Sequence, residues 1–206
     1  MNGIILIDKP RGITSAGVVR ELKRFIWADK NRASKIGHAG TLDPDATGLL
    51  VILLGAATRF QAMVMQSEKT YEGVIRLGIS TDTDDLAGTV MSKMPIPDRS
   101  DIEQLLPQIR SKYLGAIEQT PPRYSAVKIA GQRGYALARK GQDFEISART
   151  VTITELSLSV LSPDQLAYRV TCSSGTYVRS LARDLGLALG TLACTETIRR
   201  TRIGSF

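Results

Sequence analysis

The residues best placed to do chemistry are concentrated in Gly37-His38-Ala39-Gly40-Thr41-Leu42-Asp43-Pro44-Asp45-Ala46-Thr47-Gly48. Glycines and a proline this close together imply a tight, specified backbone path. Asp43 precedes Pro44, which biases it away from the helical region. A carboxylate presented on a stiff loop suits a nucleophile or a general base. From spacing alone, a turn aspartate bonded to its own backbone is the better account of the residue.

Other familiar chemistries fail on this sequence. There is no Gly-Lys-Ser/Thr phosphate loop and no Gly-x-Gly-x-x-Gly, and the single histidine, His38, has no serine motif to serve. Asp82-Thr83-Asp84-Asp85 begins like a calcium loop, but Ala87 and Lys93 stand where that loop needs glycine and glutamate. Two cysteines, Cys172 and Cys194, with one distant histidine do not make a structural zinc site. They read as small buried residues of a cytosolic protein.

The elements that must position Asp43 follow from apolar patterning. Ile4-Ile5-Leu6-Ile7 reads as a buried strand, stopped by the turn Lys9-Pro10-Arg11-Gly12. Thr14 or Ser15 can cap a helix carrying Val18, Val19, Leu22, Phe25 and Ile26 on one face. Leu49 to Leu54 is a second continuous apolar run directly after the glycine-rich loop. Tyr71, Gly73, Ile75 and Leu77 alternate as a half-buried strand, and Ile102, Leu105, Leu106 and Ile109 mark a helix. Val151 and Ile153 alternate in one phase, and Leu156, Leu158 and Val160 in the other, which predicts a β-bulge near Thr154. A turn at Ser162-Pro163-Asp164 predicts a hairpin with the strand Leu166 to Cys172. A helix follows Gly175, with Val178, Leu181, Ala182, Leu185 and Leu189 on one face. Hairpins dominate the second half, so the class is expected to be α+β.

At 206 residues and 43% hydrophobic content, the chain has the size and composition of one folded domain, and disorder is excluded. No apolar stretch approaches the roughly 18 residues of a membrane span, and the N-terminus does not read as a signal peptide. The net charge of +7 is unevenly spread. Residues 1–40 carry net +5, residues 119–149 net +4, residues 177–206 net +3 and residues 80–104 net −4. Three basic segments could converge on one face and attract a polyanion. The segment Gln119 to Arg149 also interleaves Tyr124, Tyr135 and Phe144 with its basic residues, as a surface that tracks phosphates and stacks bases requires. A long surface loop is the plainer reading of the same segment.

Five ordered motifs make the sequence specific. The run Gly37 to Pro44 with Ala46-Thr47-Gly48-Leu49-Leu50 resembles the catalytic motif of the TruB family of tRNA pseudouridine-55 synthases. Leu6-Ile7-Asp8-Lys9-Pro10-Arg11-Gly12 with Thr14-Ser15 is similar to that family's N-terminal motif. Lys69-Thr70-Tyr71, Leu77-Gly78 and Thr81-Asp82-Thr83-Asp84 resemble the second. Gln119-Thr120-Pro121-Pro122-Arg123-Tyr124-Ser125-Ala126-Val127-Lys128 resembles the third, and Ser174-Gly175-Thr176-Tyr177-Val178-Arg179-Ser180-Leu181 the fourth. The matches extend over nearly the whole chain.

The resemblance implies a mixed, largely antiparallel central sheet flanked by helices, the pseudouridine synthase fold. It implies one catalytic domain over 1–206, with an RNA-gripping thumb inserted at 119–149. The implied activity moves the glycosidic bond of one uridine in the tRNA T-loop from N1 to C5, with base flipping and with no cofactor and no metal. Asp43 matches the essential aspartate, acting by attack on the target nucleotide at C1′ or by removing the C2′ proton. Tyr71 matches the tyrosine that stacks on the target base, and Arg179 the arginine that pairs with the aspartate. Ile198 falls where the family has an apolar active-site residue, usually leucine. His38 matches a histidine that contacts RNA beside the target, and Tyr177 in the fourth motif is a further expected substrate contact. Lys9, Arg123, Lys128 and Arg133 are the expected RNA contacts.

The implied partner is the tRNA T-arm, and the protein is expected to be a cytoplasmic monomer that meets no membrane. The same chemistry on another RNA, and a non-catalytic tRNA chaperone, are the alternatives. Two departures stand out: Ala39 replaces a frequent threonine, and Asp45 replaces a frequent apolar residue. Asp45 is expected to point outward, because a second inward carboxylate would raise the pKa of Asp43. Family members usually continue past the region Arg200 to Gly204, and bacterial ones commonly add a small PUA-type RNA-binding domain. The chain is therefore expected to be a catalytic domain without that companion.

Overall fold

The computed structural model describes residues 1–27, 35–125, 127–129, 132–139 and 143–206. In chain order the first elements are β1 (Gly3–Lys9), α1 (Ser15–Trp27), β2 (Ile36–His38) and β3 (Thr47–Leu54). A 3-10 turn (Gly55–Phe60), α2 (Gln61–Gln66), β4 (Lys69–Leu77), β5 (Ile79–Thr81) and β6 (Val90–Lys93) follow. Next come α3 (Arg99–Tyr113), β7 (Gly115–Gln119), β8 (Lys128–Ile129), β9 (Gln132–Arg133) and α4 (Gly134–Arg139). The chain closes with β10 (Arg149–Ser162), β11 (Gln165–Cys172), α5 (Val178–Ala188) and β12 (Ala193–Ile203). Contacts divide it into two compact units, Met1–Tyr71 with Ile198–Phe206, and Glu72–Thr197. The boundaries fall inside β4 and inside β12.

In the first unit the two apolar runs form one antiparallel pair, β1 with β3, in register from Gly3 opposite Leu54 to Lys9 opposite Gly48. A strand has two edges, and the second edge of β3 is shared. Its last residues pair antiparallel with β2, and its first two, Thr47 and Gly48, pair in parallel with Arg199 and Arg200 of β12. The loop 39–46 leaves β2 opposite Ile52 and returns opposite Arg199, so it spans the stretch of edge that β12 takes over.

β3 is continuous apolar sequence because both of its faces are buried. Leu50, Ile52 and Leu54 pack with Val18 and Val19 of α1, while Val51 and Leu53 pack with Ala39, Val64 of α2 and Ile203. Each such side chain contributes roughly 1.5–3 kcal/mol by leaving water. The helix start is settled in favour of Thr14: its hydroxyl oxygen accepts the Gly17 N–H at 2.9 Å. Phe25, expected on the buried face of α1, is instead 79% exposed, and no described residue covers it.

In the second unit β10 pairs antiparallel with both β11 and β7. The strand order runs β12, β4, β11, β10, β7. The bulge falls where the phase of alternation changes, between Ile153 and Glu155. The expected hairpin closes with Ser162 opposite Gln165. α3 packs on β10 and buries Ile102 and Ile109, seven residues apart on one face. α5 buries Val178, Leu181, Ala182 and Leu185 as its spacing predicts. The class is α+β, with mixed but largely antiparallel pairing. Both cysteines are buried, and burial pushes the Cys194 thiol up to about 11. No helix among the described residues is long and apolar enough to cross a membrane.

Candidate active site

In the first unit the Asp43 loop is fixed by side chains that spend their hydrogen bonds on its backbone. Asp43 opens a tight turn in which its carbonyl accepts the Ala46 N–H at 3.1 Å. The Ser15 hydroxyl accepts the Leu42 N–H at 2.8 Å and donates to the Leu42 carbonyl at 3.1 Å. Gly12 N–H donates to the Pro44 carbonyl at 2.8 Å. Lys9 is fully buried, and its ammonium donates to the carbonyls of Pro10 (2.9 Å), Ile13 (2.7 Å) and Pro44 (3.0 Å). Its place is therefore inside the loop and not on the surface expected of an RNA contact. Burial lowers its pKa, while the charges of Asp45 and Asp43 act the other way.

The other end of the loop rests on β12. Arg200 donates from Nε to the Leu49 carbonyl at 2.8 Å, and from its two Nη atoms to Gly40 (3.0 Å) and Thr41 (3.4 Å). A β carbon built on Gly40 would touch Arg200 and, at 3.8 Å, the Lys69 side chain of β4. The loop thus lies over the faces of β4 and β12 that carry Lys69 and Arg200. Period-two alternation puts Tyr71 on the same face as Lys69, and Ile198 on the same face as Arg200. Both are partly buried. Thr70 is held from β12 by the Thr201 hydroxyl (3.4 Å to the Thr70 carbonyl) and by Arg202 Nε (3.2 Å to Thr70 Oγ1), which fixes the backbone entering Tyr71.

His38 ends β2, one residue before the loop. Its carbonyl accepts the Gln61 amide at 2.8 Å, and its Nδ1 is buried without a described partner. Burial, and then the Arg200 charge, hold its pKa below the ordinary 6.5. Asp45 points outward as expected and pairs with Arg11 at 3.1 Å, both exposed.

In the second unit Arg179, on the first turn of α5, is buried. It donates to the carbonyls of Thr83 (2.7 Å) and Tyr124 (3.0 Å), with an Asp85 oxygen at 3.7 Å. Tyr177 immediately precedes α5, and its backbone is gripped from both sides by the Gln119 amide. The Arg149 guanidinium stacks on the Tyr177 ring, 4.7 Å from its centre. Arg123 is exposed, pairs with Asp143 at 2.9 Å and lies 5.1 Å over the Phe144 ring. The side chains of Lys128 and Arg133 lie outside the described residues. A pocket of about 540 Å³ opens among Asp82, Asp84, Arg123, Tyr124, Phe144 and Arg183. Burial raises the pKa of Asp84 against the opposing charges of Arg183 and Arg179.

The structure thus groups Asp43, Tyr71, Ile198, His38 and Lys9 in the first unit, and Arg179, Tyr177 and Arg123 in the second. Sequence reasoning missed Arg200, Arg149 and Gln119 as positioning groups, and treated Ser15 as a helix cap only. Among the described residues no cluster of His, Cys, Asp or Glu is fit to hold a metal ion.

The family model described as "TruB family pseudouridylate synthase (N terminal domain)" matches residues 28–178. A tRNA pseudouridine synthase B from Azoarcus sp. (strain BH72) is 42% identical over 206 residues, with 100% of this chain and 66% of its own length covered. One from Aromatoleum aromaticum is 46% identical, with 100% and 64% covered, and one from Synechococcus sp. (strain CC9311) is 46% identical, with 99% and 67% covered. The chain therefore spans about two thirds of the length of these curated relatives. Among solved structures, a chain of a Cbf5–Nop10–Gar1 complex superposes with a TM-score of 0.70 at 29% identity, over 98% of this chain and 49% of that one. A chain of an H/ACA RNP bound to a substrate RNA containing 2′-deoxyuridine gives 0.68 at 27% identity, over 98% and 47%. The sequence similarity extends along the whole chain and agrees with the fold and with the ordered motifs: this protein belongs to the TruB family of pseudouridylate synthases.

Proposed function

We propose that this chain converts uridine to pseudouridine in the T-loop of tRNA, with Asp43 as the catalytic residue. The observation that carries the reading is a carboxylate on a loop anchored at both ends, over the faces of β4 and β12 that hold Tyr71 and Ile198. Fixed presentation of one reacting group lowers the barrier by removing orientational freedom in advance. The reaction is an isomerisation: the N1–C1′ bond breaks, the freed base turns, a C5–C1′ bond forms, and the C5 proton is lost to solvent as N1 gains one. It balances without redox change or co-reactant.

In this reading the target base leaves its stack, at about a few kcal/mol. Stacking on an aromatic face such as Tyr71 returns roughly 1–3 kcal/mol. Ile198 walls the base, and Arg179, Tyr177 and His38 contact the RNA around it. Arg123, Lys128 and Arg133 of the 119–149 segment grip the arm of the RNA by its phosphates. Tritium release from a T-arm hairpin transcript labelled at uridine C5 tests the proposal. The wild-type chain is expected to release label at the T-loop uridine. Asp43→Asn is expected to lose at least about a thousandfold in rate, and full activity in that variant would overturn the assignment. Release from other RNAs but not from the T-arm would move the substrate while keeping the chemistry.

A further inference from the structure

We infer that Arg200 is a positioning residue for Asp43: its buried guanidinium ties the two ends of the loop together and so sets where the carboxylate stands. The inference rests on the reading of Asp43 as catalytic. Arg200 is 1% exposed and is the largest fully buried side chain among the described residues. A buried cation is strongly penalised unless its donors are all used, and it usually meets a carboxylate. The described partners of Arg200 are three carbonyl oxygens and no carboxylate.

The choice of acceptors points to the purpose. Gly40 and Thr41 lie at the start of the loop, and Leu49 lies just past its end. The guanidinium is a planar fork whose donors diverge, so one rigid group reaches both ends at once, which a point-charge ammonium does not do. The backbone of Arg200 pairs with Gly48 at the same place, so strand and side chain act on one spot. Lys9 repeats the device on the opposite flank, spending its ammonium on Pro44. Asp43 lies between these clamps, two residues from Thr41 and one from Pro44. An apolar side chain of similar size would fill the space under the loop without tying its ends together. The charge has a second local effect, since it helps keep the neighbouring His38 neutral.

The test uses Arg200→Lys, which keeps the charge and loses the fork. Two readouts are taken on the full chain. Amide exchange at Leu42 and Ala46 is expected to rise about 100-fold, while amides of the β10–β11 ladder exchange as before. Single-turnover tritium release is expected to fall about 100-fold, with the dissociation constant for a T-arm hairpin within about threefold of wild type, because a small misplacement of a reacting group acts on the rate. Unchanged loop exchange, an unchanged rate, or equal losses in rate and affinity would each overturn the inference. If the variant fails to fold, the wild-type chain still decides. Its Leu42 and Ala46 amides should then exchange as slowly as those of β3, and exchange typical of an open loop refutes the clamp. If the wild-type chain releases no label at all, the reading of Asp43 fails, while the exchange data still judge the hold of Arg200 on the loop.

Discussion

Gly48 and Arg200 meet backbone to backbone: a β carbon built on Gly48 would stand 2.2 Å from the Arg200 carbonyl oxygen and 2.9 Å from its nitrogen. Gly48 also has φ +98°, a conformation that side chains rarely adopt. The glycine that ends the Asp43 motif is therefore a condition for β12 to reach the loop. Gly48→Ala is expected to destabilise the fold by about 3 kcal/mol or more, since backbone strain and a clash with another backbone add. The urea unfolding midpoint measures it, and a shift below about 1 kcal/mol would show that the two strands can part without loss.

Lys9 separates two roles that a basic residue in a matched motif can play. Its three carbonyl acceptors and its burial predict a stability effect and not an electrostatic one. Lys9→Met should lose about 3 kcal/mol, because the carbonyls stay buried without their donor. The dependence of RNA affinity on salt should keep its slope in that variant. In Arg123→Gln, by contrast, the slope should fall by about one if Arg123 meets a phosphate. A slope that falls in Lys9→Met would return Lys9 to the RNA-facing surface.

Much of this was legible beforehand, and the residues show why. Leu49 to Leu54 announces a strand because burial on both faces leaves no polar position to confuse the pattern. Ile4 to Ile7 also forms a strand, but the expectation that it is buried fails on one face, where Ile4 is 45% and Leu6 52% exposed. The phase change at Thr154 announces the bulge because side chains alternate strictly along a strand. The Asp43 loop is visible because glycine and proline restrict backbone in ways few other positions need. Arg200, Lys9 and Ser15 were not legible as its anchors. Their acceptors are carbonyls, which every residue carries, so no partner residue type marks the interaction. A buried arginine in a basic C-terminal segment looks the same in sequence as an exposed one. Phe25 fails for the opposite reason: helical spacing gives the face of a residue but not whether anything covers it.

His38 makes the stability of the first unit depend on pH. Its folded pKa lies below 6.5 because of burial and then the Arg200 charge, so the unfolded chain takes up the proton at higher pH than the folded one. The stabilisation is complete above about 6.5 and is lost as pH falls through the folded value. The urea midpoint should accordingly drop between about pH 7 and pH 5, and His38→Gln should flatten that part of the profile. A variant whose midpoint drops as steeply as wild type would place the proton uptake on another group.

Arg149 and Tyr177 offer a measurement of how firmly the start of α5 is held. The guanidinium lies 4.7 Å from the ring centre and donates to the Gly175 carbonyl at 2.5 Å, so one side chain of β10 holds both the ring and the turn before it. The Gln119 amide already fixes the Tyr177 backbone, which leaves ring orientation as the freedom that Arg149 removes. A cation over an aromatic face at a partly exposed site is worth about 0.5–1 kcal/mol. A double-mutant cycle of Arg149→Met and Tyr177→Leu should return a coupling energy of that size in unfolding experiments. If Tyr177 also contacts the nucleotides around the target, Arg149→Met alone should weaken hairpin binding about three- to fivefold, because the bound complex must then order a freer ring. Zero coupling in the cycle, with unchanged hairpin affinity, would reduce the stacked pair to an incidental contact between β10 and the turn.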